Sequence, residues 1–416
     1  MRGFDAPGLR RIFTRVPLLN TDGWSLPRLN RGRRLRATAL VVGVGLLVGT
    51  APAAAQEPIA IDSVIHAKKD SVTKPDDGRF RWTPLLAPGY TPEMGFLIAG
   101  GFLFSDKLGK NTPTLQRSTL SSTISISTTG AINISNTLTT FFLENRLRIN
   151  ANISYKDMPD NYWGVGYDAG LNPNTPDSST KYDRIWWQVQ PRVLWGIKKN
   201  LYVGASFDFN RTIASNVNPV MAADPTFIRD GHDNFNTGLG LAVQYDSRDV
   251  AVNAWRGLYI ALYATFYGTF LGGDNKYQIY LLDYRHYKQL GRPGRTLAWQ
   301  LKTRLGANDV PWPELSLLGS GYDLRGYREG RFRDQQTLLG LVEFRQMFMK
   351  KGKLTRHGFV AWLGGGTLGK RGDYTGFLPN GGLGYRFELQ PRSNVRVDFG
   401  VGKKSNGVYF NFTEAF

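Results

Sequence analysis

The residues best able to do chemistry in this 416-residue chain gather in one stretch. Leu317-Leu318-Gly319-Ser320-Gly321-Tyr322-Asp323-Leu324-Arg325-Gly326-Tyr327 is followed by Arg328, Glu329, Arg331, Phe332, Arg333 and Asp334. Guanidiniums interleaved with carboxylates suit charge pairing, because arginine presents a planar fork of donors that fits a carboxylate. Gly326 lets the backbone turn sharply at the centre of the run. Read alone, the run is a solvated charged loop on a glycine turn. Just downstream, Leu341-Val342-Glu343-Phe344-Arg345 alternates, so that Val342 and Phe344 share one strand face and Glu343 and Arg345 the other. Covalent chemistry finds no comparable support. His66, His232, His286 and His357 form no H-E-x-x-H or other metal spacing, and no G-x-S-x-G is present. The absence of cysteine removes disulfides, thiolate nucleophiles and cysteine metal sites. The glycine runs Gly364-Gly365-Gly366 and Gly381-Gly382 lack the strand-to-helix setting of a phosphate loop. We therefore expect no catalytic residue, no metal, no cofactor and no enzymatic activity.

The elements that must position these residues are strands. From Tyr90 onward the chain repeats segments of period two, separated by turns rich in Gly, Asn, Asp and Pro. In Arg146–Tyr155, Leu147, Ile149, Ala151, Ile153 and Tyr155 alternate with Arg146, Arg148, Asn150, Asn152 and Ser154. Leu201–Asn210 and Leu297–Gly306 behave alike, so each segment has one apolar and one polar wall. The segments are about ten residues long, the length of a tilted membrane crossing by a strand. They fall near 93–104, 116–128, 131–142, 145–156, 183–195, 200–211, 235–246, 256–270, 275–290, 295–306, 336–349, 354–367, 380–390, 394–402 and 406–415. That is fifteen; a barrel with both ends on one side of the membrane needs an even number, so one strand is missing, and we expect it before residue 160. The fold predicted is all-β: a transmembrane antiparallel up-and-down β-barrel of sixteen strands. Short connections such as Ile197–Asn200 and Gly291–Gly294 should lie on the periplasmic side, and the long ones, 157–182, 212–234 and 307–335, should face outward. Phe410, Phe412 and Phe416, with Val408, give an aromatic C-terminal segment like the recognition signal of bacterial barrels. Trp186, Trp187, Trp195, Trp255, Trp299 and Tyr259 read as lipid-facing or interfacial aromatics.

Upstream, Arg31, Arg33, Arg34 and Arg36 precede the apolar stretch Ala39–Val48 and the small residues 50–55. This is the pattern of a secretory signal peptide, read here as 1–55 with an extended N-terminus and cleavage after Ala55. Residues 56–90 are polar and read as a partly disordered periplasmic tail, leaving 91–416 for the barrel. The net charge is +19. Nine arginines against two aspartates in residues 1–36 supply +7 of it, leaving +12 for the rest. No nucleic-acid-binding pattern accompanies that charge, so the expected partners are outer-membrane lipid and lipopolysaccharide rather than nucleic acid.

Leu324-Arg325-Gly326-Tyr327 resembles the V/L-R-G-F/Y motif of the outer-membrane insertion-porin superfamily (BamA and TamA type), and within it the bacterial surface antigen barrel domain. Five strand-like segments follow the motif, as in the family. Tyr245-Asp246-Ser247-Arg248-Asp249 with Arg256-Gly257 resembles its Y-D-x-R-D…R-G element, and Tyr90-Thr91-Pro92-Glu93-Met94-Gly95 its Y-S-P-E-T-G start of the first strand. The resemblance covers about 90–416. It implies that the loop folds into the lumen and that Arg325 meets an acid on the barrel wall. Glu343 is the expected partner, with Asp323 and Asp246 as further candidates. The family's F-x-D-x-G pattern is matched in the second strand after the loop only by Val360-Ala361-Trp362-Leu363-Gly364, where Trp362 stands in place of the Asp. The resemblance further implies a role in outer-membrane protein assembly or transport, through a gate between first and last strands, in the outer membrane of a Gram-negative-type bacterium. The barrel-assembly machinery would insert the chain. The segment 56–90 is too short for one of the family's periplasmic repeats, so a separate periplasmic partner protein would have to capture clients. The alternatives are a passive, porin-like channel, lined by Arg146, Arg148, Lys302 and Arg304, and a structural or surface-binding barrel.

Overall fold

A computed structural model describes residues 80–91, 95–108, 115, 117–250, 253–390 and 392–416. The segments read as signal peptide and most of the tail lie outside the described residues, as do Pro92, Glu93 and Met94. Strands β1 (Arg81–Thr91), β2 (Gly95–Asp106), β3 (Ser118–Ser127), β4 (Ile132–Phe142), β5 (Leu147–Asn161), β6 (Lys181–Lys198), β7 (Leu201–Ser215), β8 (Asp233–Asp246), β9 (Gly257–Tyr267), β10 (Tyr277–Gln289) and β11 (Arg295–Asn308) pair in chain order. A long loop then carries a small hairpin, β12 (Ser316–Leu318) and β13 (Phe332–Asp334). The meander resumes with β14 (Gln336–Lys350), β15 (Lys353–Lys370), β16 (Asp373–Gln390), β17 (Ser393–Gly402) and β18 (Ser405–Phe412). Sixteen of these strands form one antiparallel up-and-down sheet, the wall of a β-barrel. Three short helices, α1 (Tyr167–Leu171), α2 (Pro219–Ala222) and α3 (Pro225–Asp230), sit in the long connections.

The period-two pattern sets which wall each side chain meets. On β14, Thr337, Leu339, Leu341, Glu343, Arg345 and Met347 are buried and point inward, while Val342 and Phe348 stand exposed on the outer face. The outer face of the sheet is predominantly apolar, with Ile98, Ile124, Leu241, Leu262, Leu301, Leu363, Leu383, Phe399 and Val408 all exposed. Such a surface is stable against acyl chains and not against water. The adjacent Trp186 and Trp187 must take opposite walls. Trp186 and Tyr259 are buried on the inner one, so these two are not the lipid-facing aromatics expected of them.

Strand direction places the connections 162–180, 216–232 and 309–335 at one end of the barrel. The tight turns at 199–200, 290–294, 351–352 and 392 lie at the other, together with both chain ends of the sheet.

The sheet begins at Arg81, ten residues before the expected boundary at 91, and β1 is the strand missing from the count of fifteen. Its prolines hide it, because proline within a run argues against a strand unless the strand lies at an edge. Here it does. The Thr128 amide donates to the Phe96 carbonyl (2.7 Å), so even-numbered residues of β2 bond β3 and odd-numbered ones bond β1. Through the register Gly89↔Leu97, odd-numbered residues of β1 then face β2. The nitrogens of Pro84 and Pro88 therefore face the free edge, where no ladder bond to β2 is lost.

At the other edge, Phe410 and Phe412 fall on β18, but Phe416 does not continue it. Thr413 takes φ 65° and the chain turns into the lumen. Phe416 is buried against Tyr287, its main-chain oxygen accepts from Arg345 Nη2 (2.9 Å), and Glu414 accepts from Arg386 and Asn394.

Placing a charge on the outer face should be costly where the same charge on the inner face is not. Leu363→Arg should lose about 2–4 kcal/mol near the bilayer midplane, whereas Ser135→Arg on the lumen wall should lose less than about 1 kcal/mol. Urea unfolding followed by the gel shift of the folded barrel measures both, and equal losses would contradict the assigned faces.

Candidate functional site

The loop 309–335 does not stand out in solvent. Its central residues Leu324, Arg325 and Tyr327 are fully buried inside the barrel. Leu324 joins Leu318 and Phe332 of the loop against Leu339, Leu341, Leu368 and Leu378 of the wall, which explains the leucines on the inner face of β14. Tyr327 donates from its hydroxyl to the Pro379 carbonyl (2.7 Å) and accepts from the Lys403 amide (2.6 Å). The Tyr409 hydroxyl accepts from the Gly326 amide (2.8 Å) and donates to the Tyr327 carbonyl (3.0 Å). Gly326 has φ 115°, and a Cβ on it would lie 2.8 Å from the Gly400 carbonyl carbon. Gly400 is the other half of that approach, since a Cβ there would lie 2.3 Å from the Arg325 carbonyl oxygen. Two glycines thus let loop and wall backbones touch.

Arg325 is held by one residue from each of four consecutive strands. Its Nη2 donates to Glu343 on β14, and its Nη1 donates to Asp398 Oδ2 on β17 (2.8 Å). The Trp362 ring on β15 lies 3.6 Å from the guanidinium carbon. Asn380 on β16 accepts from Trp362 Nε1 (2.9 Å) and donates to the Arg325 carbonyl. Arg325, Glu343 and Asp398 are all solvent-inaccessible. Around them, Arg345 bonds Glu343 Oε2 (2.9 Å), Arg386 bonds Asp398 Oδ1 (2.5 Å) and Arg396 bonds Asp398 Oδ2 (2.5 Å). Buried charges at this density persist only when each is paired and hydrogen-bonded.

Of the residues singled out in the sequence, the structure brings Leu324, Arg325, Gly326, Tyr327 and Glu343 together. It does not bring Asp323 or Asp246 to Arg325. Asp323 accepts from the neighbouring Leu324 amide (2.5 Å), and Asp246 pairs with Arg248 (2.9 Å) at the turn after β8. The second acid is Asp398, which the sequence pattern does not single out. A signal is nonetheless present: Arg396, Asp398 and Gly400 alternate on one face of β17, and Asp398-Phe399-Gly400 completes the D-x-G of the pattern sought at 360–364. Trp362, where that acid was expected, stacks on the guanidinium instead.

The loop also reaches the end of β5 and the connection that follows it. Arg333 lies over Tyr162 (4.4 Å) and donates to the Asn161 carbonyl (2.9 Å), Arg331 donates to the Gly170 carbonyl (2.7 Å), and Arg328 pairs with Asp177. Arg304, expected to line an open pore, instead holds the loop through the Glu314 carbonyl (2.6 Å), Ser316 (3.0 Å) and the Glu314 carboxylate (3.4 Å). Burial pushes the Glu314 carboxyl up to about 7 and Asp208 pushes the same way, while Arg304 and Arg184 partly offset both.

Residues 112–413 match the Omp85 superfamily domain, and the chain belongs to that superfamily of β-barrel proteins. Among solved structures it is similar to BamA from Haemophilus ducreyi lacking POTRA domains 1–3, at 14% identity and TM-score 0.56, over 80% of this chain and 70% of that one. It is similar also to CdiB from Acinetobacter baumannii (12%, TM-score 0.51, 80% of this chain and 59% of that one) and to CdiB from Escherichia coli (10%, 0.52, 82% and 63%). At these identities the likeness is one of fold, and the chain spans about three-fifths of each CdiB chain. No curated protein matches it.

Removing Arg325 would leave Glu343 and Asp398 buried without their shared cation, a loss of about 3–5 kcal/mol for a broken buried pair. Arg325→Ala should therefore expose 309–335 to protease in a barrel that remains folded. Arg325→Lys should rescue little, since an ammonium cannot fork to two acids and stack on Trp362. A loop equally resistant in Arg325→Ala would refute the clamp. Glu314 gives a pH test. Its folded-state value lies above the ordinary 4.5, so its contribution to docking is full below that value and is lost as pH rises through about 7. Loop cleavage should increase from about pH 5 to about pH 8, and Glu314→Gln should flatten that rise.

Proposed function

We propose that the protein is a non-enzymatic barrel of a bacterial outer membrane that takes part in assembling or transporting other envelope proteins, with the loop 309–335 as its lumen closure. The observation carrying this reading is the Arg325–Glu343–Asp398 clamp, found in a chain whose residues 112–413 match the Omp85 superfamily. The clamp fixes the loop to β14–β18 and leaves the first strands without such a brace. Among the described residues β1 and β18 stand at opposite ends of the strand order with no ladder between them. The seam is then where a client segment would meet the barrel, with lipid and lipopolysaccharide outside and a separate periplasmic partner delivering clients. The chain's own insertion would use the barrel-assembly machinery.

One observation favours a passive channel as the second reading. The wall facing away from the clamp is lined by small neutral polar side chains: Ser121, Thr123 and Ser125 on β3, Ser135 and Thr137 on β4, Asn152 and Ser154 on β5. Depletion in the native cell followed by an envelope proteome separates the two. Assembly or transport predicts loss of a subset of outer-membrane or secreted proteins, and an unchanged proteome would overturn it. In planar bilayers the intact protein should give small, flickering conductance that grows when 309–335 is deleted. Large steady conductance from the intact chain would favour the channel.

A further inference from the structure

Most lumen arginines of this barrel are matched with acids: Arg184 with Asp160, Arg248 with Asp246, Arg285 with Asp283, Arg304 with Glu314, and the clamp set with Glu343, Asp398 and Glu414. Arg148 on β5 and Arg192 on β6 differ. Neither makes an ion pair among the described residues. Arg148 lies 3.8 Å over the Tyr202 ring and donates to that hydroxyl (2.7 Å), and Arg192 lies 3.9 Å over the Tyr263 ring. Arg192 is 9% exposed, and the Nε of each arginine is buried without a hydrogen-bond partner.

The register places the two together. Arg192 is opposite Asn150 and Arg148 is opposite Leu194, so they are diagonal neighbours on the inner wall, roughly 7–8 Å apart along the backbone. Arg192 also has an acid at the diagonal, Asp208 on β7, and does not use it. Asp208 is held by Gln188 (2.8 Å), Gln190 (3.4 Å) and Tyr267 (2.6 Å), all neutral donors. The wall beside the arginines is floored by Gly204, Ser206, Gly240 and Ala242, which carry little or no side chain. Stacking on tyrosine fixes both guanidinium planes before any ligand arrives, which lowers the ordering cost of binding. Arg192 is buried with no ion-pair partner, whereas Arg148 is half-buried and within electrostatic reach of Asp246; a buried guanidinium without a counter-charge is costly, and two side by side repel.

We propose that Arg148 and Arg192 form an oxyanion site in the lumen that takes a phosphate-bearing ligand. Two preset guanidinium forks suit the several oxygens of a phosphate better than a monatomic anion. The site is independent of the clamp and of the assembly reading, since it lies on β5 and β6 and would exist in a channel equally.

The test uses the full folded chain in detergent, with inorganic pyrophosphate as probe and chloride at matched ionic strength as control. Pyrophosphate should raise the thermal unfolding midpoint where chloride does not. Arg148→Gln with Arg192→Gln should abolish the shift, while Lys302→Gln, on β11, should keep it. Should the double variant fail to fold, Arg148→Lys and Arg192→Lys keep the charge and lose the fork, and each should need at least about tenfold more pyrophosphate for the same shift. A second arm replaces pyrophosphate with short-chain phosphatidic acid. A larger effect there identifies a lipid headgroup as the ligand, and a smaller one a free phosphate compound. No shift beyond chloride in both arms, or an undiminished shift in the arginine variants, overturns the site.

Discussion

Burial of one guanidinium between two carboxylates organises this molecule. Desolvating Arg325 is favourable only where it meets Glu343 and Asp398, because alone in the dry lumen it would be an uncompensated charge. Loop and wall are therefore coupled: docking brings Arg325 to two acids that Arg345, Arg386 and Arg396 also hold, and removing it breaks a shared buried pair. The ring of Arg345, Arg386 and Arg396 extends that dependence to Glu414 and Phe416 beyond the last strand. A charge network thus ties the plug, the wall and the segment after β18 into one unit.

Much of the fold is legible in the sequence because a membrane barrel writes its two walls into alternate residues. Parity alone separates Tyr202, on the inner wall, from Val203, on the outer one, and it sets Arg148 and Lys302 inward in the same way. What parity cannot give is contact between strands distant in sequence. Asp398 lies 73 residues beyond Arg325, and its local D-x-G signal does not say which distant residue it meets. Trp362 and Asn380 look like ordinary strand residues until the guanidinium is seen between them. β1 escapes notice for the opposite reason, since its local composition argues against a strand and only its position at the sheet edge permits it. Phe416 departs from the aromatic alternation of β18 because the backbone leaves the sheet at Thr413.

The lumen divides unevenly. One side, β14 to β18 with the docked loop, is crowded with paired charge and leucine, and glycines there allow close backbone approach. The other, β3 and β4, presents hydroxyl and amide groups, and charge returns only on β5 with Arg148, Lys156 and Asp160.

The prolines of β1 bear on how the chain survives before it reaches lipid. A long, regular sheet edge in water is a template on which any stray extended segment can add by main-chain bonding. With two of its outward amide donors missing, this edge makes a poor template. The same two positions leave the edge at which the sheet meets its other end short of main-chain donors.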